Sequence, residues 1–146
     1  MKKLTLIILL LISLNCLAQE NPIGKFLKEW LDVPYKFGGS TKNGIDCSKL
    51  VQRFYKEVYN TEIPGVCRKI WDFTNRIEKD SLKEGDVVFF NSRLSPSGWH
   101  AGIYLTDGYF LHAPNRKERV KISYLYEEPY NKIYKGAGRL TEKQSL

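Results

Sequence analysis

Histidine and cysteine are scarce in this 146-residue chain, with two of the first and three of the second. Three cysteines are too few to staple a small fold through disulfides, and no C-x-x-C pair marks a redox motif. No apolar run reaches the length of a bilayer-spanning helix. The longest, Leu4 to Leu14, is about half of it. Repeats, linkers and low-complexity stretches are missing from residues 19–146. Acidic residues are outnumbered, 16 Asp and Glu against 23 Lys and Arg, which gives a net charge of +7. That balance suits an anionic partner without naming one. What remains is an ordinary globular composition, 42% hydrophobic and 27% charged, long enough for one domain and too short for two.

The first residues have the form of an export signal. Met1-Lys2-Lys3 is a short positive start, the apolar run follows, and Cys16-Leu17-Ala18 places small residues where cleavage before Gln19 requires them. Residues 1–18 are therefore expected to be a signal peptide and 19–146 the working domain. In a rival reading Cys16 is the lipidated first residue of a bacterial lipoprotein. Ser13 and Asn15 fit that pattern poorly, since a Leu and a small residue are expected there. An uncleaved anchor is the third option. All three place the domain outside the cytoplasm, which argues against nucleic acid as the partner of its basic surface. Membrane attachment is expected only through a lipidated Cys16.

Helical signals fill the first half of the domain. A short helix is predicted from Gly24 to Leu31. Asp46 is placed to cap a second, whose apolar face is Leu50, Val51, Phe54 and Val58. A weaker third helix is predicted from Val66 to Ile77, after Pro64-Gly65. The second half changes period. Segments from Asp86 to Asn91, His100 to Thr106, Tyr109 to Ala113, Arg119 to Tyr124 and Ile133 to Arg139 are short and rich in β-branched or aromatic residues. Asp107-Gly108 is a two-residue hairpin signal. Helices followed by strands predict an α+β fold, with a helical N-terminal half packed on an antiparallel sheet. At this size roughly two-thirds of the unfolded surface is buried, so the domain can stand without disulfides.

Cys47 opens the best-defined helix, after a Gly-rich turn. Free N–H groups and the macrodipole there favour an anion and lower a thiol's pKa, as a nucleophile requires. The alternative is a buried structural cysteine. Each histidine falls in a predicted strand, His100 opening one and His112 nearly closing the next. Across the Asp107-Gly108 turn they are not directly opposite, so spacing leaves their contact open, and two satisfied core histidines are the other possibility. If they meet, one imidazole can deprotonate a thiol while a third group fixes its tautomer.

Several blocks carry a resemblance. Asp46-Cys47-Ser48-Lys49-Leu50-Val51 resembles the D-C-S-G-L-V signature of the NlpC/P60 cell-wall peptidases, and Val33 to Gly39 is similar to that family's P-Y-x-x-G-G lead-in. Leu82 to Phe90, His100 to Leu105 and Phe110 to Ala113 resemble three later blocks in the family's order. The likeness runs from about Trp30 to Arg139. It implies a papain-like α+β fold and a secreted cysteine endopeptidase acting on peptidoglycan stem peptides. The bond would be γ-D-glutamyl–diamino acid or D-Ala–diaminopimelate. It further implies Cys47 as nucleophile, His100 as general base, His112 as the orienting residue and Tyr35 near the oxyanion or substrate, with no cofactor and no metal. The backbone N–H groups of Ser48 and Cys47 are placed to face an oxyanion, while Asp46 is expected only to cap.

Lys49 stands where the family usually has Gly, which adds a charge beside the site. The loop from Asn91 to Trp99 precedes His100 directly, so it is a candidate lining of the cleft. Trp99 is a candidate stacking surface for sugar or peptide, with plain packing as its alternative. Cys67 is expected as a buried free cysteine on the third helix; paired oxidatively with Cys47 it would silence the nucleophile. A zinc site from Cys47, Cys67, His100 and His112 lacks the close ligand pairs such sites show. Arg116-Lys117-Glu118-Arg119 is expected as a solvated turn. Two other functions stay open, an amidase on another substrate and a non-catalytic wall-binding module. An acyl-transfer branch with permuted order places its His before its Cys, unlike this chain. A monomer is expected.

Overall fold

The computed structural model describes residues 21–141. The expected leader, its cleavage point at Ala18 and Cys16 lie outside them. Helix α1, Pro22–Trp30, begins two residues before the predicted start because Asn21 caps it, accepting from the Ile23 N–H at 3.0 Å, with Pro22 in the first turn. Ile23, Phe26 and Trp30 form its buried stripe. A small ribbon of β1, Ser40–Thr41, and β2, Gly44–Ile45, leads to helix α2, Cys47–Tyr59. Helix α2 buries Leu50, Val51, Phe54 and Tyr55. It ends at Asn60, in the left-handed region with φ 50°.

The third helix is shorter than predicted. Helix α3 covers only Cys67–Phe73, and Asn75–Ile77 is instead strand β3, paired antiparallel with Ala137–Arg139. Thr74 makes the break. Its backbone is extended, its N–H still bonds to Ile70 O at 3.1 Å, and its Oγ closes on the same carbonyl at 2.9 Å. The edge of a distant strand then takes the next three residues.

The other strands fall close to their predicted places: β4 Val87–Asn91, β5 Trp99–Tyr104, β6 Tyr109–His112, β7 Lys121–Tyr124 and β8 Tyr134–Arg139. A one-turn helix α4, Tyr130–Ile133, stands where the last strand was predicted to start. The six-stranded antiparallel sheet has the order β3-β8-β4-β5-β6-β7. Asp107 and Gly108 both have positive φ, 51° and 85°, the backbone of a two-residue primed turn between β5 and β6.

Alternation along the strands gives the sheet two buried faces. Val87, Phe89, Ala101, Ile103 and Leu111 pack under α1, α2 and α3 in the main core. Val88, Phe90, Tyr104, Phe110 and Ala137 form a second cluster, with Leu125 and the α4 side chains Tyr130 and Ile133. The α+β architecture with helices over an antiparallel sheet is therefore as the sequence implied.

Candidate active site

Asp46 organises the start of α2. Its Oδ1 accepts from the Lys49 N–H at 2.8 Å and from the Ser48 hydroxyl at 2.9 Å, and its Oδ2 from the Gly38 N–H at 2.9 Å. Gly38 makes that bend with φ 71°. The glycine turn is thus folded onto the cap, as expected of a capping aspartate. Ser48 also gives its hydroxyl to Gly65 O at 3.0 Å, so its side chain serves the fold. The backbone N–H groups of Cys47 and Ser48 stand ahead of the first helical hydrogen bond, Leu50 N to Asp46 O at 2.9 Å.

Register brings the histidines together. Ile103 faces Leu111 and Tyr104 faces Phe110, so His112 lies diagonally from His100 on one face of the sheet. His100 Nε2 and His112 Nδ1 are 2.7 Å apart. Between them in register lies Gly102. A Cβ there would come within 2.7 Å of the Phe110 ring and 2.8 Å of Leu111 O, so only glycine leaves His112 its place. The same diagonal step recurs on the next strand, where His112 Nε2 meets Ser123 Oγ at 2.9 Å, with the Tyr130 hydroxyl at 3.4 Å. Burial, followed by the charges of His100 and Lys121, pushes the His112 pKa well below the usual imidazole value. A neutral His112 that accepts from His100 at Nδ1 carries its own proton on Nε2 and donates it to Ser123.

Cys47 meets this line at the start of β5. Its Sγ lies 3.6 Å from the sulfur of Cys67, and both cysteines are free and buried. The Cys47 pKa is drawn well below that of an ordinary thiol, first by the hydrogen bond from Cys67. The charge and hydrogen bond of His100 and the Ala101 N–H add to this, and together they outweigh burial. Since Nε2 of His100 is engaged by His112, Nδ1 is the nitrogen left for the sulfur. The same contact raises the Cys67 pKa, with burial and the Cys47 charge adding to it, so Cys67 stays a thiol and a donor. Tyr35 is half-buried beside them. Burial and the charges of Cys47 and Asp46 push its hydroxyl up to about 12, which keeps it a donor.

A cavity of about 250 Å³ opens over Cys47, lined by Tyr35, Lys49, Cys67, Ser95 and Ser97 among others. The loop before His100 therefore lines the cleft through its serines. Trp99 does not line it. Its ring packs on Trp71 at 5.5 Å and Phe89 at 6.3 Å, at the edge of the main core. A larger cavity of about 580 Å³ is lined by both histidines, with Lys121, Ser123 and Tyr130 among its other residues. Among the described residues no group of three or more His, Cys, Asp or Glu is arranged to hold a metal ion, and no helix is long and apolar enough to cross a membrane. At the basic cluster Arg116, Lys117 and Arg119 are exposed, as expected of a solvated turn, with surface pairs from Arg119 to Asp32 and from Lys121 to Glu118.

Ser123, the Ala101 N–H and the contact made by Cys67 were not foreseeable from motifs. The spacing from His112 to Ser123 crosses a loop that fixes no register, and Cys67 reaches Cys47 only through the packing of α3.

A cysteine that opens a helix beside a histidine on an antiparallel sheet is the arrangement of the papain-like α+β class. Within it, residues 32–139 match the model of the NlpC/P60 family, and the chain belongs to that family. It is 35% identical over 119 residues to the gamma-DL-glutamyl hydrolase of Bacillus subtilis, covering 81% of this chain and 29% of that protein. With the murein DD-endopeptidase MepS/murein LD-carboxypeptidase of Escherichia coli it shares 36% over 115 residues, 79% of this chain and 60% of the relative. An NlpC/P60 family protein from Bacillus cereus has the same fold at TM-score 0.72 and 28% identity, over 82% of this chain and 39% of its own. The chain thus spans less than two thirds of the length of each of these relatives.

Proposed function

We propose that this protein is an exported cysteine endopeptidase that hydrolyses peptidoglycan stem peptides. The observation that carries the reading is the line from Cys47 through His100 and His112 to Ser123, with its sulfur end at a cavity. Cys47 thiolate attacks the scissile carbonyl carbon. The backbone N–H groups of Cys47 and Ser48 and the Tyr35 hydroxyl take the developing oxyanion. His100 Nδ1 gives its proton to the leaving amine, the C–N bond breaks, and a thioester on Cys47 remains. Water then loses a proton to His100, adds to the thioester, and releases the acid and the thiolate. Throughout, neutral His112 accepts from His100 Nε2 and holds the imidazole in line.

The family relatives that are named for γ-glutamyl and for DD-endopeptidase activity leave two bonds open, and Lys49 favours the first. Its half-buried ammonium lines the cavity beside Cys47, hydrogen-bonded to Gln52 Oε1 at 3.4 Å and paired with no carboxylate among the described residues. A γ-linked glutamyl residue leaves its α-carboxylate free next to the scissile amide, where such a cation recognises it.

The test is mass spectrometry of muropeptides incubated with the protein and, in parallel, with Cys47→Ser. Fragments formed by the parent alone, cut after γ-D-glutamyl, are expected. Substrates carrying an α-carboxamide in place of the carboxylate are expected to react about tenfold more slowly, a difference that Lys49→Met removes. Muropeptides left intact by the reduced parent would overturn the reading, and cleavage at D-Ala–diaminopimelate alone would overturn the choice of bond.

A further inference from the structure

The proposed chemistry needs one sulfur, and the site contains two. Cys67 begins α3, and its Sγ is 3.6 Å from that of Cys47, with both sulfurs on the wall of the same cavity. An S–S bond is about 2.05 Å long, so the pair has about 1.5 Å to close. The two residues are 8% and 4% exposed. A cavity of about 250 Å³ gives a small oxidant, and later a small dithiol, access to them.

We infer that Cys67 is a resolving cysteine, and that Cys47 and Cys67 form a reversible disulfide when the protein meets a hydroperoxide. In the first step Cys47 thiolate attacks one peroxide oxygen and the O–O bond breaks. The sulfur is oxidised to a sulfenic acid, and the peroxide leaves reduced as water or alcohol after taking a proton. In the second step the Cys67 sulfur attacks the sulfenic sulfur, its proton goes to the departing hydroxide, and the S–S bond forms with release of water. A dithiol reverses the pair by exchange.

Charge sets the order of the two steps. While Cys47 is a thiolate, the hydrogen bond to it, together with burial and its charge, keeps Cys67 protonated and unreactive. Oxidation of Cys47 removes that charge and frees Cys67 to attack. Without Cys67 the sulfenic acid has no partner among the described cysteines and continues to the irreversible sulfinic acid. The disulfide itself needs only the two thiols. Its consequence, a hydrolase switched off and recoverable, rests on the function proposed above.

The full-length reduced protein is treated with at least two equivalents of hydrogen peroxide, enough to carry an unresolved cysteine to the sulfinic acid, and followed by intact mass and a non-reducing peptide map. A loss of about 2 Da and a linked Cys47–Cys67 peptide are expected, both reversed by dithiothreitol. Cys67→Ala and Cys67→Ser are expected instead to gain about 32 Da on Cys47, which dithiothreitol does not remove. A parent that gains about 32 Da without the link, a link from Cys47 to a different cysteine, or Cys67 variants that recover like the parent would overturn the inference. Muropeptide cleavage is read in a separate arm. If the disulfide forms and the reduced parent cuts nothing, the hydrolase reading fails and the redox pair stands.

Discussion

Two sets of buried polar side chains among the described residues end differently. Asp86, 2% exposed, takes Arg139 Nε and Nη2 on its two oxygens, each at 2.7 Å, and the Lys83 N–H at 2.7 Å on one of them. Arg139 spends its remaining reach on Ser81 O at 3.0 Å. Every partner in that set belongs to the fold, and the pair ties the end of β8 to the turn before β4. His100, His112 and Ser123 are bonded in a line, and Cys47, whose thiol pKa His100 lowers, faces a cavity beside it. An ion pair whose donors and acceptors are all matched within the fold fixes a backbone, even though it borders a cavity of about 560 Å³. An open line of the same polarity keeps a charge available for a substrate.

The comparison can be broken by separating activity from stability. Cys47→Ala is expected to abolish turnover, by about 10⁴-fold or more. Its unfolding free energy should stay within about 1 kcal/mol of the parent, measured by urea titration. Asp86→Ala is expected to do the reverse. Removing one partner of the bidentate pair strands the arginine and should cost about 3 kcal/mol of stability, with kcat of the folded fraction unchanged. Either variant showing the other's signature would erase the distinction. Ser123→Ala sharpens it at the far end of the line, where losing one hydrogen bond of about 1 kcal/mol predicts a roughly fivefold fall in kcat/KM. Ser123→Thr, which keeps the hydroxyl, should restore most of that, and a purely structural serine would show neither the fall nor the rescue.

The sequence carries the local half of this picture. Helix α2 is legible because its cap, apolar stripe and length agree, and β4, β5 and β6 because alternation and a primed turn punctuate them. Asn75–Ile77 is not, since nothing local in Asn-Arg-Ile chooses strand over helix. The choice is made by β8, some sixty residues later. The same divide runs through the site. Cys47, His100 and His112 stand in recognisable blocks, and one hairpin register brings the two histidines into contact. Ser123 depends on the register of a second strand pair across an eight-residue loop, and Cys67 on the docking of one helix against another. Trp99, a candidate stacking surface from sequence, packs against Trp71 and Phe89.

The ionisation of Cys47 tests the account most directly. Its pKa is depressed by the Cys67 hydrogen bond and by His100, against burial. The stabilisation this brings is therefore full above the ordinary thiol pKa and is lost as pH falls through the native value. Thiolate formation, followed by ultraviolet absorbance or by alkylation rate against pH, should show a midpoint well below 9.0, displaced upward in His100→Ala. A midpoint at or above 9.0, or one indifferent to His100, would contradict the claim that this sulfur is held as a nucleophile.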